Sequence, residues 1–387
     1  PHVQAKQEIY TMYINFWYPV ALSHEITNEK PLDVQIMSMN FVAFRDTDNQ
    51  AHILSNTCIH RGGSLAKGKI NDDCVACPYH GWEFGGDGNC KHIPTLSSDQ
   101  NMPPRAKVDS YPIEERYGIV FAFLGDLSAE ERPPLFDIAE YDDPNWRANE
   151  VVVFEVNAYY QRSVENGLDG AHNEFVHPLQ GAPSIIETLR NRPIDVENES
   201  EWGCGFWYPA GGSTSEETKL IGAGEGGTWA GSSHHGPNTL ITRIHFSEEK
   251  KFHQYFFEAP LTDGSTRIFF VNMRCFMMEP ENDKKLIDIN IRIAQEDIDI
   301  LENLDPVRTP DSTAKELLTP VDKPIYGYRD FLKDWDARGW RIDWEELQKK
   351  RGDIAFAIPS PGRKSEKNWI LDTVPLMASS EENKAKL

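Results

Sequence analysis

The chain has 387 residues, 39% hydrophobic and 26% charged, with 27 Gly and 25 Pro; this excludes a disordered, collagen-like or membrane-spanning protein and fits one large domain or two. The 39 basic and 61 acidic residues give a formal net charge of −22, which repels phosphates and argues against nucleic acid or an anionic membrane as partner, and favours a partner with a basic patch. No apolar run reaches the roughly 18 to 20 residues of a membrane helix, and the opening PHVQAKQEIY lacks a signal-peptide stretch, so a cytoplasmic location is expected.

Short apolar runs such as Gln35 to Phe44, His52 to Leu54 and Tyr117 to Leu124 alternate with Gly, Asn and Asp turns, which predicts a small β-domain over residues 40–125, led by a segment 10–39 that packs on the following domain. Ser128 to Trp146, rich in Pro and acids, reads as a connector. Val151 to Ala158, Thr239 to Phe246, His253 to Glu258 and Thr266 to Met273 read as strands. Helices are expected over roughly Tyr160 to Phe175 and Glu281 to Leu304, so residues 126–375 form an α+β domain with an antiparallel sheet, and 376–387 a solvated tail. Gly222 to Gly227 satisfies G-x-G-x-x-G but opens no helix, and the following TWAGSSHHGPN reads as a glycine-rich loop holding His234 and His235 away from any metal. The runs Tyr255-Phe256-Phe257 and Phe269-Phe270 read as strand core.

Six cysteines are too few for a disulfide scaffold in a chain this long, so they are weighed as metal ligands. Cys58-Ile-His60 and Cys77-Pro-Tyr-His80 form two short loops, each with one Cys and one His. A zinc finger keeps its cysteines in one arm and its histidines in the other. The mixed arms suit a two-iron cluster in which two thiolates hold one iron and two imidazoles the other, with a raised reduction potential. Cys74 makes a C-x-x-C with Cys77, but no βαβ context supports a redox dithiol; Cys74 and Cys90 carry no assigned role.

CIHRGGSL and CPYHGWEF resemble the two cluster-binding loops of the Rieske family, with Arg61-Gly62, Gly81-Trp82 and Phe84 flanking the ligands. By that resemblance Cys58, His60, Cys77 and His80 hold a [2Fe-2S] cluster.

A second constellation runs from Glu165 to Pro178 and contains Asn166, Asp169, His172 and His177. On a helix Asp169 and His172 share a face, whereas His172 and His177, five apart, diverge by about 140°. Pro178 disfavours helix at His177, which lets that imidazole swing back toward a common metal. A 2-His-1-carboxylate iron site then needs one acid. Leu286, Ile289, Ile293, Ile300 and Leu301 mark one stripe of the late helix, and Asp297 falls within it; a second apolar stripe, Ile287, Ile291, Ala294 and Ile298, means that periodicity does not isolate Asp297, and Asp299 is a substitute.

The pattern N-x-x-D-x-x-H-x-x-x-x-H in residues 166–177 resembles the mononuclear iron motif of the Rieske non-heme iron oxygenases, as does Phe16-Trp17-Tyr18-Pro19 near the start. The resemblance implies an all-β Rieske domain joined to a helix-grip catalytic domain. His172, His177 and Asp297 would hold Fe(II), with Asn166 near the iron. Asp169 would bridge His172 to the His80 of a neighbouring subunit in a head-to-tail homotrimer. With O2 as co-substrate, such a terminal oxygenase hydroxylates an aromatic or other hydrophobic small molecule. Electrons come from a separate NAD(P)H-dependent flavin reductase or ferredoxin, since the chain has no flavin or nicotinamide motif. O- or N-demethylation and attack on aliphatic carbon are alternatives on the same scaffold. A Rieske electron-transfer protein with a binding domain would lack the second iron, and a zinc-stabilised interaction protein would be colourless.

Overall fold

The computed structural model describes residues 11–178, 185–192, 194–211, 228–310 and 312–380. The chain divides into two compact units, residues 1–133 with 335–387, and residues 134–334.

Three antiparallel sheets build the first unit. Phe16–Leu22 pairs with Ile119–Leu124, which pairs with Ile113–Arg116. A second sheet runs Leu32–Ile36, Met39–Arg45, Ala51–Ser55, Ser110–Tyr111, and a third Lys69–Asn71, Cys74–Ala76, Glu83–Gly85, Cys90–His92. The stretch Gln35 to Phe44, expected as one strand, is a hairpin: Ile36 faces Met39 across a turn in which Met37 and Ser38 both take positive φ (53° and 57°). Left-handed geometry at both central residues is what a two-residue hairpin needs, and Met-Ser lacks the Asn-Gly signature that would reveal it. Val42, Phe44, Leu54, Leu65, Val75 and Phe84 pack into one core that also buries Cys58 and Cys77. The C-terminal stretch from Trp335 belongs with this unit rather than with the domain expected over residues 126–375: Trp335 and Trp340 stand edge-on to Phe16, at 4.7 and 5.6 Å.

The second unit is an eight-stranded antiparallel sheet. Arg147–Ala148 and Val152–Val156 both pair with Thr266–Arg274; the order then runs Lys251–Pro260, Thr239–His245, Thr228–His235, Gly203–Gly211, Val196–Ser200. Thr228–His235 corrects the expected glycine-rich loop. Its Gly231 makes room for a cross-strand tryptophan, since a Cβ there would lie 2.5 Å from Cδ2 of Trp207. His234 is buried against the edges of Tyr328 and Phe331, its Nδ1 3.1 Å from the Gly236 carbonyl, while His235 Nε2 donates to the Pro134 carbonyl (2.8 Å). The Gly222 to Gly227 motif lies outside the described residues.

The helix Asp283–Leu301 lies on one face of this sheet: Leu286 and Ile289 meet Phe246 and Phe252, and Leu301 meets Val156 and Ile268. Ile300, expected on the same stripe, is exposed. Among the described residues no helix is long and apolar enough to cross a membrane.

Beneath the helix Tyr160–Gly167 a fully buried carboxyl, Glu258, accepts a hydrogen bond from Ser163 Oγ (2.8 Å), and its Oε2 has no partner among the described residues. Burial raises it to about 8. An acid raised in the folded state binds more protons there than when unfolded, so its destabilising effect grows as pH rises from the unfolded value to about 8. The thermal midpoint of Glu258→Gln, measured against the parent from pH 5 to 8, is therefore expected to gain steadily with pH; a pH-independent difference would contradict it.

Candidate functional site

Each unit contributes one donor set. In the first, the two cysteine loops repeat one backbone design. Gly62 N–H donates to the Cys58 carbonyl (2.9 Å) and Gly81 N–H to the Cys77 carbonyl (3.0 Å), with the glycines at φ +73° and +72°. Only glycine takes that left-handed position at no steric cost. Both thiols are buried, whereas His60 and His80 are exposed with ring centroids 4.3 Å apart, and Trp82 stacks on His60 at 4.6 Å. Gly63 leaves a cradle at the thiols, because a Cβ there would lie 2.8 Å from Cys77 Sγ. Burial pushes the Cys58 thiol up to about 12, with Cys77 beside it adding to the rise. A buried thiol that resists ionisation, with a second buried thiol beside it, suits a metal, which would hold both as thiolates. Among the described residues the donors that converge within reach of a single ion are those of the second unit rather than these two Cys and two His. Their arrangement, thiols inside and imidazoles outside, fits a two-iron cluster. Cys90 is buried, its thiol raised to about 11 by desolvation, and Cys74 is half-buried; all six cysteines are free.

In the second unit, the expected single helix from Tyr160 to Phe175 is two. Tyr160–Gly167 ends where Gly167 abuts Leu240, a Cβ there falling 2.1 Å from Cδ2, and Asn173–Val176 is a single further turn. Asp169 sits in the break, where its Oδ1 accepts the Ala171 N–H (2.7 Å), a short side-chain turn that competes with helix. The helical face shared by Asp169 and His172 is thus corrected. It is the Asp169 carbonyl that accepts from His172 Nδ1 (2.5 Å), while its carboxylate Oδ2 is 3.9 Å from that nitrogen. His177, at φ −110° and ψ 73°, leaves the helix before Pro178.

These turns bring the imidazoles together: His172 Nε2 and His177 Nε2 are 3.2 Å apart and lie 3.5 and 3.2 Å from Asp297 Oδ1. His172, His177 and Asp297 form the convergent group, their donor atoms all within 4.8 Å of one another. Asn166 Nδ2 donates to Asp297 Oδ1 (2.9 Å) and so holds the carboxylate in place. Asp299 instead accepts from Gln295 on the exposed side of the helix (2.7 Å). Burial pushes the Asp297 carboxyl up, but hydrogen bonds from His172 and His177 outweigh it and hold the group well below the carboxylate range. Burial likewise disfavours charge on His177, yet Asp297 and Glu296 raise it. Two neutral-capable imidazoles and an ionised carboxylate, sharing one focus, are the donor set of a 2-His-1-carboxylate iron site.

Sequence reasoning missed Glu296. Its Oε2 lies 3.0 Å from His177 Nδ1, which fixes the tautomer that turns Nε2 toward the metal focus. No sequence signal separates it from the neighbouring acids. Glu296→Gln is expected to lower ferrous iron affinity about 10- to 100-fold, read by iron titration, with the visible absorbance of the first site unchanged.

The triad opens into a cavity of about 210 Å³ walled by Phe154, Leu240, Phe252, Phe256, Ile268, Phe270 and Ile293. Phe256 and Phe270, strand residues of the two aromatic runs, stack at 4.4 Å to form one wall.

Residues 16–112 match the Rieske [2Fe-2S] domain, and residues 156–338 the vanillate O-demethylase oxygenase C-terminal domain. The iron-sulfur subunit TsaM1 of the toluene-4-sulfonate monooxygenase system of Comamonas testosteroni is 33% identical over 164 residues, 42% of this chain and 46% of that protein. The oxygenase component of 3-ketosteroid-9-alpha-monooxygenase from Rhodococcus rhodochrous is 30% identical over 170 residues, 43% and 44% of the two. The chain thus spans less than half the length of these relatives. The solved structure of Pseudomonas putida CBB5 NdmA with caffeine superposes with a TM-score of 0.69 at 22% identity, covering 84% of this chain and 91% of that one. Dicamba monooxygenase bound to dicamba gives 0.65 at 21%, covering 88% and 100%. These likenesses establish a shared fold. A Rieske domain followed by an oxygenase C-terminal domain defines the class of protein. The chain belongs to the Rieske non-heme iron oxygenase family.

Proposed function

We propose that the chain is the terminal oxygenase component of a multicomponent system that hydroxylates an aromatic or other hydrophobic small molecule with O2. The observation that carries this is the meeting of His172, His177 and Asp297 at the mouth of an apolar cavity, in a chain that also bears a Rieske domain. When bound, the cluster carries single electrons and the ferrous iron activates O2. The protein's own groups do the positioning. A ferredoxin or flavin reductase would supply the electrons, and the acidic surface would favour a donor with a basic patch. Asn166 and Glu296 orient the ligands. Asp169, whose carboxylate keeps Oδ2 open, would receive the His80 imidazole of the next subunit in a head-to-tail homotrimer. Cysteines that are all free accord with a reducing cytoplasm. The match to a vanillate O-demethylase domain supports a second reading, O- or N-demethylation on the same scaffold.

An EPR spectrum of anaerobically reduced protein with nitric oxide added tests this. A reduced-cluster signal together with a high-spin iron-nitrosyl signal is expected. A cluster signal alone from iron-replete protein would instead indicate an electron-transfer protein.

A further inference from the structure

Of the residues described around the cavity, the ionisable ones are the triad, Asp169 and the Tyr208 phenol, and none is Lys or Arg. The neighbouring guanidinium groups are engaged elsewhere: Arg162 binds Glu316 (2.8 Å), and Arg329 binds Glu165 and Glu316 (both 2.6 Å). A carboxylate or sulfonate on a ligand would therefore lose its water and gain no counter-charge, which is costly in an apolar enclosure. Carboxylates meet the cavity only beside the triad, in Asp297, which is committed to the histidines and Asn166, and in Asp169, whose Oδ1 holds a backbone N–H, so a cation bound among the apolar walls has no counter-charge next to it.

Polar side chains around the cavity away from the triad include the Ser232 and Thr242 hydroxyls, which meet at 3.5 Å, and an amide pair. Gln254 on Lys251–Pro260 and Asn290 on the long helix both line it; Gln254 Nε2 donates to Asn290 Oδ1 (3.4 Å), and Asn290 Nδ2 donates to buried Asn272 Oδ1 (3.1 Å). The relay ends at Gln254, whose Oε1 and second N–H take no partner among the described residues. Asn290 precedes Asp297 by seven residues, two turns on the same helix face and about 10 Å away. Ile293 and Ala294 fill the span between them.

We propose that the substrate is an uncharged, largely apolar molecule carrying a carbonyl or hydroxyl group that the Gln254–Asn290 amide pair holds about two helical turns from the metal triad. This rests on the oxygenase reading for the triad, and extends it to substrate class.

Anaerobic calorimetry on the iron-loaded protein tests it with four probes of one shape: 4-methoxyacetophenone, 4-ethylanisole, 4-methoxybenzoate and 4-methoxybenzylamine. The ketone is expected to bind at least about tenfold more tightly than the anion or the protonated amine. Gln254→Leu is expected to remove roughly fivefold or more of the ketone's advantage over 4-ethylanisole. Asn290→Leu, which cuts the relay from the helix side, should do the same. Tighter binding of the benzoate or the amine, no ketone binding at millimolar concentration, or an unchanged ketone preference in folded variants would overturn the proposal. Neither Gln254 nor Asn290 is a metal ligand, so these affinities report the cavity separately from the iron-nitrosyl signal. Loss of that signal would refute the oxygenase reading without touching the charge preference.

Discussion

His177→Ala is expected to strip the mononuclear iron while the cluster remains, with turnover falling by more than about 100-fold, beyond what the loss of an outer partner costs. His177 is the most constrained of the three donors, 3% exposed and held from both ring nitrogens by Glu296 and the focus at Asp297. Removing it leaves Glu296 without its imidazole partner and the focus with one nitrogen. Iron analysis paired with the visible spectrum checks the outcome: cluster absorbance should persist and the iron-nitrosyl signal vanish. Full iron content in the variant would take His177 out of the ligand set.

The second large effect is expected from Asp169→Asn, which should keep both metals and slow cluster reoxidation on the order of 100-fold. Metal retention follows from the geometry, because the backbone carbonyl holds His172, and an asparagine Oδ1 still accepts the Ala171 N–H. What changes is the second oxygen: an uncharged amide N–H donor takes the place of Oδ2 and can no longer accept from an incoming imidazole N–H. Single-turnover stopped-flow with reduced protein, substrate and O2 reads the step. An unchanged rate in metal-replete Asp169→Asn would remove the bridge.

How much of this was legible in the sequence depends on how local each signal is. The cluster loops are complete within a few residues, so Cys58, His60, Cys77 and His80 could be paired without tertiary knowledge. His172 and His177 shared that advantage, yet the shape of their segment did not, because the helix before them ends where Gly167 is pressed against Leu240, a residue on a distant strand. Asp297 needed the fold: two apolar stripes cover the helix, and only packing against the sheet shows that Ile293 and Asp297 face inward while Ile300 faces solvent. Glu296 and Gln254 were invisible for the same reason. In Tyr255-Phe256-Phe257 the period of two is plain, but which phase meets the cavity is decided by the helix that covers the sheet.

Asn290 and Asp297 stand on one rigid helix, one in the amide pair and the other at the metal focus. On the proposed reading, the groups that would recognise a substrate are thereby held apart from the groups that would oxidise it. Exchanging the side chains at 254 and 290 would retune preference while the chemistry two turns away stays in register. Divergence within such a lineage would then proceed by small edits at the far end of the rod, each tolerated because it leaves the reactive end in place.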